Sequence, residues 1–179
     1  MKWLKFMVPA LVLSLAAAGC ILVSGQFLVD FALDDFDVST ESTVTREDVD
    51  LNTNEDYADH KDELKAIADI AVLGTLKNNL SGNIGIEVWM TATPTTYTTS
   101  TEVSNNATKL WGPFVVLGNA SKTVDWNESA NLFSGPGKAL LLNEIKGDGQ
   151  FTIYAIGNST TYSVDVDNGV LAIVLDFGK

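Results

Sequence analysis

Apolar and polar residues alternate with a period of two through much of the chain after residue 26. Strand-like runs cover residues 27–33, 44–51, 84–90, 150–156 and 161–166. This period puts every second side chain on one face, as in a half-buried β-strand. Further segments that are mostly apolar favour buried or central strands, and they cover residues 70–77, 110–117 and 170–177. Together these runs predict a mainly β fold, an antiparallel β-sandwich.

One segment has helical spacing instead. Tyr57, Leu64 and Ile67 fall on one helical face. Thr53 or Asn54 can cap the start of this helix by accepting from its first free backbone N–H groups, and acidic residues follow in the first turns. The pattern predicts one short helix over residues 55–69, packed on one side of the sandwich.

Turn-forming residues predict several of the connections. The threonine-rich segment 91–101 is typical of an exposed edge strand, and residues 134–137 are typical of a loop. Residues 138–146 fit a helix or a strand equally well. Asn168-Gly169 lies between two strand-like runs and predicts a tight hairpin turn.

The start of the chain has the pattern of a secretory signal. Lys2 and Lys5 precede an uncharged apolar run over residues 6–18, and small residues lead directly to Cys20, the single cysteine. The run is shorter than the roughly 20 residues that cross a bilayer. We therefore predict a signal peptide over residues 1–19.

The sequence Ala-Ala-Ala-Gly-Cys that ends at Cys20 resembles the lipobox of bacterial lipoproteins. The resemblance implies cleavage after Gly19 and lipidation of Cys20, with a diacylglycerol on sulfur and an acyl chain such as palmitate on the new amine. It also implies a lipid-anchored protein of the bacterial cell envelope. Ile21, in place of an Asp that marks inner-membrane retention, favours the outer membrane.

The rest of the chain is expected to form one domain. Residues 20–25 are predicted to be the lipidated cysteine and a short tether, and residues 26–179 a single β-sandwich domain. A chain of this length buries enough surface to fold without disulfides, and it has no second cysteine with which to form one.

Charge narrows the range of partners. Residues 1–19 hold two lysines and no acid, so the mature chain has nine basic side chains against 23 acidic ones, a net charge of −14. Such a surface repels phosphate backbones and excludes nucleic acid as a partner. Residues 30–69 carry fourteen of the acids, which is compatible with cation binding or with a solvated acidic face.

Five oxygen-bearing residues follow one another near the predicted helix. Asp48, Asp50, Asn52 and Asn54 alternate as ligands do in a calcium loop, and Asp59 falls at the twelfth place. The same letters also suit a polar strand that runs into a helix cap. Ca²⁺ is therefore one hypothesis for this segment, and no other cofactor is expected.

Trp89 is the most suggestive residue for ligand binding. It alternates with Ile86 and Val88, so it is predicted on the opposite strand face, where an indole could stack on a glycan; sheets also use tryptophan for packing. His60, the single histidine, lies among acids, and no G-x-S-x-G or H-E-x-x-H motif accompanies it. Catalytic residues are therefore not predicted.

These observations predict a membrane-anchored envelope lipoprotein that is not an enzyme. Its mature part is expected to be a binding or structural module that contacts the lipid bilayer through Cys20 and an envelope protein or glycan through its surface. The alternatives left open are a calcium- or glycan-binding surface domain and an envelope hydrolase.

Overall fold

The computed structural model describes residues 24–32, 36–39, 44–92 and 95–178. Within these ranges the chain forms nine strands and four α-helices. The strands are β1 Ser24–Ala32, β2 Phe36–Ser39, β3 Thr45–Asp50, β4 Leu64–Asn78, β5 Ile84–Thr91, β6 Thr108–Val116, β7 Ser121–Val124, β8 Gln150–Gly157 and β9 Ser163–Gly178. The helices are α1 Glu55–His60, α2 Ser100–Asn106, α3 Trp126–Ala130 and α4 Gly135–Lys146, with short 3₁₀ turns at Leu51–Thr53 and Lys61–Glu63.

The strands form two antiparallel sheets, which confirms the predicted β-sandwich. The first sheet has the order β1–β9–β4–β7, and β2 also pairs with β9. The second sheet has the order β3–β8–β5–β6. Every named pair of strands is antiparallel.

A single large apolar cluster lies between the sheets. Its members from the first sheet include Ile70, Leu171 and Ile173, and those from the second include Ile86, Phe114 and Ile153. Each is 6% exposed or less. Burying one such side chain contributes roughly 1.5–3 kcal/mol, so the alternating pattern specifies which face of each strand turns inward.

The predicted helix over residues 55–69 is wrong in its second half. Helix α1 ends at His60, a 3₁₀ turn follows, and Leu64 already begins β4. Leu64 pairs with Phe177 and Ile67 with Leu175 of β9. The helical spacing of Leu64 and Ile67 is therefore overridden by their pairing in the first sheet.

Helix α2 replaces part of the edge strand predicted over residues 91–101. Strand β5 ends at Thr91, and the chain turns into a helix at Ser100. Thr99 accepts from the N–H of Glu102, whose carboxylate in turn accepts from the Thr99 N–H. This capping box satisfies free N–H groups at the helix start and fixes where it begins.

Residues 134–137 begin helix α4 and do not form a separate loop. Ser134 caps it by accepting from the Gly137 N–H at 2.9 Å, and Pro136 lies in its first turn. Proline tolerates this position because the first N–H groups of a helix have no internal partner. Residues 138–146, which fitted a helix or a strand, continue this helix.

The predicted hairpin at Asn168-Gly169 is also wrong. Strand β9 continues through it, and the register against β4 shifts there, opposite Gly74. Asn168 has φ of 52° and Gly74 has φ of 141°. The left-handed backbone of Asn168, which would also suit a hairpin turn, is therefore part of a β-bulge between two long paired strands. Residues 170–177 pair with β1 on one side and β4 on the other, so this segment is central as predicted.

One end of the sandwich, here called the tether end, holds the start of β1. Ser24 pairs with Gly178, and Leu64 pairs with the adjacent Phe177. Ser24 and Gly25 were predicted to belong to the tether but lie in β1. The predicted signal peptide over residues 1–19 and Cys20 lie outside the described residues.

The opposite end, here called the loop end, consists of the turns 79–83, 117–120 and 158–162. The Asn78 N–H donates to the Ala120 carbonyl at 2.9 Å, and the Asn79 N–H donates to the Ser163 carbonyl at 2.9 Å. These bonds bring turns from both sheets together where β4 finishes.

Candidate functional site

The predicted lipidation site lies very close in sequence to the first described strand. Three residues, 21–23, separate Cys20 from the first described strand residue, Ser24. A fully extended chain advances at most about 3.3–3.6 Å per residue, so the Cα atoms of Cys20 and Ser24 can lie no more than roughly 14 Å apart. A lipid on Cys20 would therefore bring the tether end to the membrane surface.

The aromatic residues at the tether end pack on one another. The His60 ring stacks on Phe177 with ring centroids 4.4 Å apart, and the Phe27 ring lies 5.5 Å from His60. The acidic neighbours of His60 predict an exposed surface residue, whereas the structure shows it half-buried. This contact connects α1 to β1 and β9.

Two residues of the predicted calcium segment cap helical turns. Asp50 accepts from the backbone and side-chain N–H groups of Asn52 at 3.0 and 2.8 Å, and from Gln150 at 3.0 Å. Asn54 caps α1 by accepting from the Tyr57 N–H at 3.1 Å. The side-chain oxygen atoms of Asp50 and Asn54 therefore already accept protein donors.

Asp48 and Asp59 do not take part in these caps. Asp48 accepts from the Thr152 hydroxyl at 2.6 Å and pairs with Arg46, whereas Asp59 is exposed on α1. The described residues hold no group of three or more His, Cys, Asp or Glu side chains placed to bind a metal ion. The calcium hypothesis stays a prediction, while helix capping explains the bonds of Asp50 and Asn54.

Acidification is expected to weaken the fold through Asp48 and Asp50. The Thr152 hydrogen bond and Arg46 lower the pKa of Asp48, and hydrogen bonds from Asn52 lower that of Asp50, below the ordinary 3.8. A carboxylate whose pKa is lower in the folded state than in the unfolded state stabilises the fold at pH values above the unfolded-state pKa. This stabilisation is lost as the pH falls through the folded-state pKa. Thermal unfolding from about pH 6 down to pH 3 should therefore show a smaller acid-induced loss in Asp50→Asn.

The exposed Asp30 is the control for this prediction. Asp30→Asn removes a carboxylate from β1 with the same change of charge. Asp30→Asn should lose more stability on acidification than Asp50→Asn does. Equal losses of stability on acidification in Asp50→Asn and Asp30→Asn would contradict the role given to the hydrogen bonds from Asn52 and Gln150.

Trp89 lies on the outer face of the second sheet, as its alternation with Ile86 and Val88 predicts. Its indole N–H donates to Glu87 at 3.0 Å, and Lys109 pairs with the other Glu87 oxygen at 2.7 Å. The Lys109 Nζ lies 5.2 Å from the centre of the indole ring. The half-buried indole is thus engaged by side chains of its own sheet.

Helix α2 covers this outer face. Val103 of the helix is fully buried against Tyr154 and Ile156 of β8, and Trp89 and Tyr97 pack against the same cluster. The sequence did not indicate this cover, because residues 91–101 were predicted as a strand. The glycan hypothesis for Trp89 stays a prediction, and the structure gives this residue a packing role.

A cavity that the sequence analysis missed opens at the loop end; we call it the loop-end pocket. It has a volume of about 270 Å³. Its lining comes from the end of β4 and the turn that follows, the start of β5 and the turn before β9. It includes Asn78, Ser81, Ile84, Ser159, Thr161 and Tyr162. The signal in the sequence was two short Asn- and Ser/Thr-rich turns, at residues 78–83 and 158–161, which single-segment patterns do not bring together.

Comparisons with known proteins assign no family. No family description and no curated protein matches the sequence. A similar solved structure is that of Desmodium yellow mottle tymovirus, at 12% identity and a TM-score of 0.30, over 87% of this chain and 89% of that one. A similarity at this level assigns neither ancestry nor activity. Among the described residues, no helix is both long and apolar enough to span a bilayer.

Proposed function

We propose that this protein is a bacterial envelope lipoprotein whose mature part is a non-catalytic binding or structural module, held at the membrane by lipidated Cys20. The observation that carries the proposal is the small-residue sequence before the single cysteine, followed within three residues by the first strand. The signal would direct export and lipid anchoring. The short connection would hold the domain close to the membrane surface. The outer membrane is the proposed location.

Acyl chains are the part of this design that holds the domain on the membrane. A net charge of −14 for the mature chain opposes binding to anionic lipid. One acyl chain anchors only marginally, whereas several chains hold firmly, at roughly 0.8 kcal/mol per buried CH₂. Lipidated Cys20 therefore has to supply the attachment that the domain surface does not.

A non-catalytic role is supported by the contacts of two side chains of types that are common in active sites, His60 and Glu87. The single histidine, His60, stacks on Phe177. Glu87, a carboxylate only 8% exposed, is bound by Lys109 and Trp89. These groups serve packing and pairing within the fold.

Intact-mass measurement of the membrane-extracted protein tests the proposal. We expect a chain that begins at Cys20 and carries acyl groups, because cleavage and acylation are coupled to that residue in lipoproteins. Cys20→Ser should give no acylated species and should leave the membrane fraction depleted of mature protein. A mature wild-type chain with an unmodified Cys20 thiol would overturn the proposal.

A further inference from the structure

The two ends of the sandwich lie at very different distances from Ser24, the first described residue after the predicted anchor. Strand β1 starts at the tether end with Ser24, while β4 runs from Leu64 at that end to Asn78 at the loop end. At about 3.3 Å per residue, the 15 residues of β4 cover roughly 45 Å. With Cys20 in the membrane, as proposed above, the loop end points away from the lipid.

The loop-end pocket is uncharged in a strongly acidic protein. None of the described residues that line it carries a charge, although the whole chain has a formal net charge of −12. A charged ligand entering such a cavity would lose hydration without gaining an opposite charge, which is costly. The lining therefore selects for a neutral ligand.

Free hydroxyl groups surround the pocket. Within the described structure, the hydroxyls of Ser81, Ser159 and Thr161 make no hydrogen bond to another protein group. A hydroxyl both donates and accepts, so it suits a ligand that presents hydroxyl groups of its own. Ile84 and the ring of Tyr162 also border the cavity, but at 3% exposed each they present little surface to a ligand.

The base of the pocket is held before any ligand arrives. Asn78 is 1% exposed; its Nδ2 donates to the carbonyls of Gly82 at 2.7 Å and Leu117 at 3.2 Å, and its Oδ1 accepts from the Leu80 N–H at 3.0 Å. These bonds tie the turn after β4 to the turn after β6. A site that is already ordered avoids the entropy cost of forming it on binding.

Several hydroxyl groups around an uncharged cavity match the hydroxyl groups of a neutral sugar. We propose that the loop-end pocket binds one unit of a neutral sugar on the side of the domain that faces away from the membrane. The outward direction rests on the proposed lipid anchor, whereas the choice of ligand rests on the pocket alone. A volume of about 270 Å³ lies just below the roughly 300–1,000 Å³ of drug-sized sites, which suits a single unit.

Saturation-transfer NMR of the full-length protein in phosphatidylcholine vesicles tests this ligand class. The probes are glucose, galactose, mannose and N-acetylglucosamine, with glucuronate and glucosamine as charged counterparts. We expect transfer to at least one neutral sugar, and at least a fivefold weaker signal for the charged ones. No transfer to any neutral sugar above protein-free vesicles, or equal transfer to the charged ones, would overturn the proposal.

Adjacent threonines give a matched pair of variants. Thr161→Val removes a hydroxyl that lines the pocket, and Thr160→Val removes one in the same turn that does not. We expect Thr161→Val to weaken the transfer at least fivefold and Thr160→Val to leave it unchanged; adding Ser159→Ala to Thr161→Val should weaken it further. With circular dichroism showing all variants folded, equal signals in the two would overturn the assignment to this pocket.

Two further arms separate the sources of the sugar and the two proposals. If a neutral polysaccharide such as dextran displaces the bound monosaccharide, the pocket recognises the end of a sugar chain. If dextran does not displace it, the pocket recognises a free sugar. An unmodified Cys20 in the mass measurement would overturn the outward direction. A saturation-transfer signal from a neutral sugar that depends on Thr161 would still establish the pocket as its binding site.

Discussion

Trp111→Ala is expected to lower the free energy of unfolding by about 3–5 kcal/mol, the usual range for removing a buried tryptophan. Trp111 is 1% exposed in the core and stacks on Phe114 with ring centroids 5.7 Å apart. The truncation removes this contact area and leaves a cavity between the sheets. Urea unfolding followed by far-ultraviolet circular dichroism measures the loss.

Hydrogen bonding adds to the effect of losing this ring. The Trp111 Nε1–H donates to the Ser129 carbonyl at 3.1 Å and to its hydroxyl at 3.0 Å. The same hydroxyl accepts from the Val72 N–H at 2.7 Å. Ser129 of helix α3, which is fully buried, thus joins β4 of the first sheet to β6 of the second.

Trp89→Ala is the matched control for this prediction. Trp89 is half-buried on the outer face, so its truncation should cost less than half as much as that of Trp111. Equal losses for the two variants, or a loss below about 1 kcal/mol for Trp111→Ala, would contradict the inter-sheet role of Trp111.

Gly118→Ala is expected to cost about 3 kcal/mol, at the upper end of the range for overpacking. A Cβ at this position would lie 1.9 Å from the Ser81 carbonyl oxygen and 2.3 Å from its carbonyl carbon. Both are backbone atoms, so the turn 79–83 has to move away from the turn 117–120. Thermal unfolding should show this loss of stability. The saturation-transfer signal of a sugar bound in the loop-end pocket should fall as well.

Gly82→Ala provides the comparison within the same turn. A Cβ on Gly82 meets no atom within 4 Å. This variant should therefore unfold within about 0.5 kcal/mol of the unmodified protein, as surface substitutions usually do. A Gly118→Ala protein as stable as Gly82→Ala would show that the two turns are not held together as described.

Local patterns were sufficient where one face of a strand is buried. The alternation around Ile86 and Val88 placed Trp89 on the outer face, and the apolar run 170–177 was correctly given a central position. Both signals are local because side chains alternate along a strand and because a strand paired on both sides is buried. The mainly β fold followed from these signals.

Local patterns failed where a distant strand decides the conformation. Leu64 and Ile67 keep helical spacing but pair with β9, more than 100 residues later. Asn168-Gly169 has the letters of a hairpin but lies opposite Gly74 in a continuous pair of strands. In both places, hydrogen bonds and burial between distant segments outweigh a local preference that contributes at most about 1 kcal/mol per residue.

The candidate sites divide in the same way. The lipobox-like sequence at Cys20 is contiguous, so the sequence by itself determined the predicted anchor, together with the acidic charge and the β class of the domain. The loop-end pocket joins the turn around Ser81 to the turn around Thr161, some 80 residues apart. Only the tertiary structure decided that these hydroxyls share one cavity at the end opposite Ser24, because antiparallel pairing of β4 with β9 sets which turns meet.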